Sequence, residues 1–111
     1  MAVNSRKLEN ATVLDVKGRL GLGEAIELFR NSFHELLEAG EKTILVNLTG
    51  VPFIDSSGMG ALVGAFTMAE SKGAKCLFCA PSPQVKHALE ISRLSDILKP
   101  FNDEPSALAS L

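Results

Sequence analysis

The chain has 111 residues, 46% of them hydrophobic, a length and apolar content that build one domain around one core. Its formal net charge is −2 and its lysines and arginines are scattered singly, so no basic stripe marks a nucleic-acid surface. Met1 to Arg6 lacks the apolar core of a secretory leader, and no run approaches the ~20 apolar residues that span a bilayer, which predicts a cytoplasmic chain without direct membrane insertion.

In chain order, a first strand is predicted within Arg6 to Glu9. A second, better alternating one follows over Thr12-Val13-Leu14-Asp15-Val16-Lys17, joined to the first near Asn10 as a hairpin. Gly18-Arg19-Leu20-Gly21-Leu22-Gly23 reads as a strand-to-helix turn. From Gly23, residues Ile26, Phe29, Phe33, Leu36 and Leu37 recur at helical spacing, and Gly40 is a C-terminal stop. Glu24, Glu27, Glu35 and Glu38 then fall on its solvated side. Thr43 to Leu48 is the most apolar strand and is expected to be central. After a turn through Gly50 and Pro52, a second helix runs from about Ser57 to Ser71 and ends at Gly73, with Met59, Leu62, Val63 and Phe66 at helical spacing. Its Gly60 and Gly64 each cost ~1 kcal/mol relative to alanine, which predicts close packing on the sheet or close approach by a partner protein. Lys75 to Cys79 returns as a strand. Ser82-Pro83 opens a third helix as N-cap and first-turn proline, with Val85, Ala88, Leu89 and Ser92 on its inner face. Ile97-Leu98-Lys99 is expected as an edge strand, and Pro105 to Leu111 as a short final helix. This alternation predicts an α/β domain with a mixed sheet of four or five strands, three main helices and a short C-terminal helix.

Most familiar chemistries are missing. Cys76 and Cys79 have Cys-x-x-Cys spacing, but on a strand residues three apart face opposite sides, whereas redox pairs sit at a helix start. Zinc needs further ligands, and His34 and His87 do not fall at finger-like spacing, so the cysteines read as buried strand thiols and no metal is expected. A Gly-x-Ser-x-Gly elbow and a phosphate-cradling Gly-Lys-Ser/Thr loop are absent, and the glycine spacing at Gly18 to Gly23 does not fit a dinucleotide loop. No assembled catalytic group and no cofactor signature remains.

What does remain is Asp55-Ser56-Ser57-Gly58-Met59-Gly60, an acidic residue and two hydroxyls where an apolar strand gives way to a helix. The plain reading of these residues is helix capping. A helix start is also a place where unpaired N–H groups and the dipole tolerate a phosphate. Val46-Asn47-Leu48 followed by Phe53-Ile54-Asp55-Ser56-Ser57-Gly58-Met59-Gly60-Ala61-Leu62 resembles the signature of STAS-domain anti-sigma factor antagonists. The likeness extends more loosely to Gly18-Arg19-Leu20, to Ala80 through Val85, and to Leu94 with Ile97.

That resemblance implies the STAS fold and a regulator that is not an enzyme. In the family the serine directly after the aspartate is the phosphorylation site, which maps to Ser56, with Ser57 as the neighbouring hydroxyl. It further implies that the unphosphorylated domain binds an anti-sigma factor that is also a serine kinase, freeing a sigma factor, and that a serine phosphatase restores binding. Partner contacts are implied for Asp55, Ser57, Gly58, Met59, Gly60, Arg19, Leu20 and Gly21. No cofactor is implied, and no oligomeric state. Family members commonly follow the Gly-x-Leu turn with aspartate, where this chain has Gly21. A second reading is a STAS-type accessory subunit of a membrane transporter's ATPase. The Asp-Ser-Ser-Gly run favours the first.

Overall fold

Ile44, Val46 and Leu48 alternate with Leu45 along the most apolar run, and both sets are completely buried, so this run lies inside the sheet with cover on each face. The computed structural model describes residues 1–111. Strands β1 (Ala2–Lys7), β2 (Thr12–Lys17), β3 (Thr43–Gly50) and β4 (Lys75–Cys79) form one sheet in the order β1-β2-β3-β4. The β1-β2 hairpin is antiparallel, whereas β3 runs parallel to both β2 and β4. Parallel neighbours need crossovers, and α1 (Glu24–Glu38) and α2 (Ser56–Ser71) supply them. A third helix, α3 (Pro83–Ile91), follows β4, and two short ones, α4 (Ser95–Leu98) and α5 (Glu104–Ala109), complete the chain.

The main core joins one face of the sheet, with Leu14, Val16, Ile44, Val46, Leu48, Cys76 and Phe78, to Phe29 and Phe33 of α1, Ala61 and Leu62 of α2, and Val85 and Leu89 of α3. A smaller cluster on the opposite face holds Val13, Leu45 and Cys79 under Ala107 of α5. The two cysteines are free, buried, and on opposite faces, as strand parity requires. Beside the smaller cluster, Arg6 forks onto Asp15 at 2.5 and 3.0 Å and reaches Glu104 at 2.6 Å, tying β1 and β2 to α5.

Several expectations need correction. The first strand is Ala2–Lys7, not Arg6 to Glu9; it is an edge strand held by backbone pairing, so only Val3 is partly buried and the alternation is faint. The turn follows, with Leu8 N–H donating to the Ala11 carbonyl at 2.8 Å. Ile97-Leu98-Lys99 is not an edge strand: Ser95–Leu98 is helical, Lys99 stops it with a left-handed φ of 46°, and the strand-like bridge comes later, between Phe101 and Cys79. Three apolar residues in a row are too few for periodicity to separate strand from helix. Ser92 is exposed and donates its hydroxyl to the Ala88 carbonyl, not to an inner face. The final helix spans Glu104–Ala109, capped by Asp103. Gly60 and Gly64 are exposed, and an added Cβ on either meets nothing within 4 Å, so packing on the sheet does not explain them.

Candidate functional site

The site is built where two segments leaving the sheet run side by side. Leu20 N–H donates to the Phe53 carbonyl at 3.0 Å and Asp55 N–H to the Leu20 carbonyl at 3.3 Å, and Leu20 bridges Ile54 in parallel. The turn after β2 is thereby fixed against the turn after β3. Both lie at the C-terminal ends of parallel strands, where open α/β sheets place their sites. Close approach needs Gly58, since a Cβ there would lie 2.1 Å from the Leu20 carbonyl oxygen.

Asp55 locks this junction. Its Oδ1 accepts from Gly58 N–H at 2.9 Å, the N-cap bond of α2, and its Oδ2 accepts from Leu22 N–H at 3.1 Å. These donors, Gly58 first, hold the Asp55 carboxyl below the usual carboxylate range. Gly21 follows from the same geometry: a Cβ at that position would sit 2.7 Å from Asp55 Oδ2. An aspartate there would both crowd Asp55 and add a like charge.

The capping work thus belongs to Asp55 alone. Ser56, the first residue of α2, is exposed, and Ser57 is half-buried at the edge of a cavity of about 550 Å³ that it shares with Leu22, Gly23, Glu24, Ile26, Glu27, Arg30 and Gly60. On the other side of Leu22 lies a hollow of about 400 Å³ lined by Arg19, Gly21, Leu22, Ala25, Phe53 and Asp55. Leu22 stands between them 81% exposed. Arg19 is exposed, with its guanidinium carbon 4.9 Å from the centroid of the Phe53 ring.

Of the residues expected at a partner surface, Arg19, Gly60 and Ser56 are exposed, and Gly21, Asp55, Ser57 and Met59 half-buried. Leu20 and Gly58 are buried; they hold the junction together from beneath and offer a partner no side-chain surface. Leu22 and Phe53, which the sequence does not single out for a partner surface, line the hollow beside Asp55. An apolar residue between two glycines of a turn, as Leu22 is, was the available signal. No group of three His, Cys, Asp or Glu side chains is placed to hold a metal ion.

Residues 2–107 match the STAS domain family, and the chain belongs to it. The anti-sigma F factor antagonist of Paenibacillus polymyxa is 32% identical over 68 residues, a stretch that spans 61% of this chain and 58% of that protein. Among solved structures, TM1081 of Thermotoga maritima superposes with a TM-score of 0.88 at 24% identity, covering 97% of this chain and 92% of that one. The anti-sigma factor antagonist SpoIIAA superposes in its unphosphorylated form with a TM-score of 0.79 at 24% identity over 96% of this chain and 93% of that one. In its phosphorylated form SpoIIAA gives 0.73 at 22% identity over 98% of each chain. A sulfate transporter family protein of Wolinella succinogenes reaches 0.79 at 22% identity over 93% of this chain and 85% of that one. These superpositions establish the fold, which an anti-sigma factor antagonist and a transporter family protein share.

Proposed function

We propose that the chain is an anti-sigma factor antagonist, switched by phosphorylation of Ser56 and regulatory, not catalytic. Its unphosphorylated form binds an anti-sigma factor with serine kinase activity and so releases a sigma factor; a serine phosphatase resets it. The observation that carries this reading is the division of labour at the start of α2, where Asp55 supplies the cap and leaves Ser56 exposed one residue on. A phosphate on Ser56 adds about −1.5 to −2 of charge and three acceptor oxygens. At a helix N-terminus that charge is tolerated, so the fold persists. A partner seated over Ser56 instead meets new bulk, new charge beside Asp55 and a desolvation penalty. Exposed Gly60 and Gly64 suit the same partner face, since neither has a neighbour to pack against.

The test is incubation with the cognate kinase and ATP, which should add one phosphate. Ser56→Ala should abolish the addition and keep binding nearly intact, while Ser56→Glu should weaken binding without melting the domain, since an exposed carboxylate at a helix N-terminus stabilises by ~0.3 to 1 kcal/mol. Phosphate mapped to Ser57 would move the assignment by one residue. Undiminished binding by fully phosphorylated protein would leave the accessory-subunit reading in front.

A further inference from the structure

Resting on that reading, we infer that the partner presents a carboxylate side chain to Arg19, flanked by an apolar contact for Leu22, so that Arg19 and Leu22 set partner specificity. Arg19 takes part in none of the ion pairs of the structure. Its guanidinium carbon lies 4.9 Å from the centroid of the Phe53 ring, within cation–π reach, and no carboxylate takes up its donors. Leu22, 81% exposed, is held next to it through its N–H bond to Asp55 at 3.1 Å. An unpaired arginine beside an exposed apolar side chain offers a partner a specifying charge together with apolar surface to cover.

The occupant's chemistry follows from the hollow of about 400 Å³ in which both residues stand. Gly21 keeps that hollow open, because it carries no side chain beside Asp55. Asp55 is the only acid lining it, and both of its oxygens are engaged by backbone N–H groups of Gly58 and Leu22. Arg19 is therefore the only charged group of the hollow with its donors free. The planar fork of a guanidinium matches a carboxylate two bonds at a time. Asp55 in the same wall weighs about twice as heavily against a doubly charged phosphate as against a carboxylate, and Arg19 itself disfavours a cationic partner residue.

Purified serine-kinase anti-sigma factors of the chain's own genome, offered one by one to the full chain, provide the probe, with binding followed kinetically at low and high salt. Arg19→Glu should lower affinity about tenfold or more, chiefly through the on-rate, and reverse the salt dependence. Arg19→Lys should retain an intermediate affinity, and Leu22→Ala should speed dissociation. A partner acid changed to arginine should restore binding to the Arg19→Glu chain. Because both side chains are exposed, every variant should melt within a few degrees of wild type. Wild-type binding that Arg19→Glu leaves unchanged overturns this inference and leaves the functional reading standing. Failure of the wild-type chain to bind any such factor overturns the functional reading and this inference with it.

Discussion

Gly58→Ala is the substitution that most directly probes the junction under Ser56. In an isolated helix the change favours folding by ~1 kcal/mol, because alanine is the better helix former. Here the added Cβ lies 2.1 Å from the Leu20 carbonyl oxygen, 3.0 Å from its carbonyl carbon and 2.7 Å from Ile54 Cγ1. A non-bonded carbon and oxygen require roughly another ångström of separation, and the nearest obstruction, the Leu20 carbonyl, is backbone, so no rotamer change relieves that overlap. The turn carrying Leu20 must move away from α2, at a cost of ~1–3 kcal/mol for overpacking. It also strains the Asp55-to-Leu20 and Leu22-to-Asp55 hydrogen bonds, at 3.3 and 3.1 Å. Each backbone-type bond contributes ~1 kcal/mol. The balance is a net loss of ~2–4 kcal/mol, or ~10–20 °C in Tm for a domain of this size. Gly60→Ala and Gly64→Ala, which meet nothing within 4 Å, should each stabilise by ~0.5–1 kcal/mol. Urea unfolding read by circular dichroism gives all three values. Stability of Gly58→Ala equal to or above wild type would refute the argument that close approach of α2 to this turn dictates the glycine.

The carboxylate network predicts acid sensitivity of definite sign. Arg6, and to a lesser degree Asn47, hold the Asp15 carboxyl below its usual range, and Asp55 and Asp103 are depressed by their hydrogen bonds to Gly58 and Ser106. A folded pKa below the unfolded one contributes stability that is present above the unfolded value of ~3.9 and lost as pH falls through the folded value. Thermal stability should therefore decline below about pH 4, and Arg6→Ala should move the acid-unfolding midpoint upward; an unchanged midpoint counts against the Arg6–Asp15 link. For the thiols, burial pushes both upward, Cys79 to about 12. Ellman's reagent should titrate both only on the timescale of unfolding, and rapid labelling of native protein would show that α5 does not cover Cys79.

Legibility in the sequence tracked burial. The Thr43 to Leu48 strand is readable as a continuous apolar run buried on both faces, and α1 and α3 because each buries a periodic set, such as Ile26, Phe29, Phe33 and Leu37 on one side of α1. Residue pattern does not locate the first strand, because an edge strand is held by backbone hydrogen bonds that leave no mark in it. Asp55, Ser56 and Ser57 were legible as a cluster at a helix start, yet sequence did not apportion the cap among them. Only geometry gives both carboxylate oxygens of Asp55 a backbone donor. The glycines show the same limit. Gly58 and Gly60 stand two apart on one helix, but one faces the Leu20 carbonyl and the other open space, and that difference arises from a segment more than thirty residues earlier in the chain.

On the proposed reading, a cap at Asp55 decides what a phosphate on Ser56 can act on. Were Ser56 the capping residue, phosphorylating it would replace the acceptor that satisfies the first turn of α2, and modification would act on the fold and on the surface together. With Asp55 holding Gly58 N–H on one oxygen and Leu22 N–H on the other, the junction keeps its donors paired whatever Ser56 carries. Switching can then be confined to the surface. The chain superposes on SpoIIAA in its unphosphorylated and its phosphorylated form alike, so the fold this chain shares is one that phosphorylation leaves in place. A modification that acts only on the surface must alter binding through charge and bulk, and these act most strongly on neighbours presented at a fixed distance. Leu22 shares a cavity wall with Ser57, the residue next to Ser56, and Asp55 is what holds it.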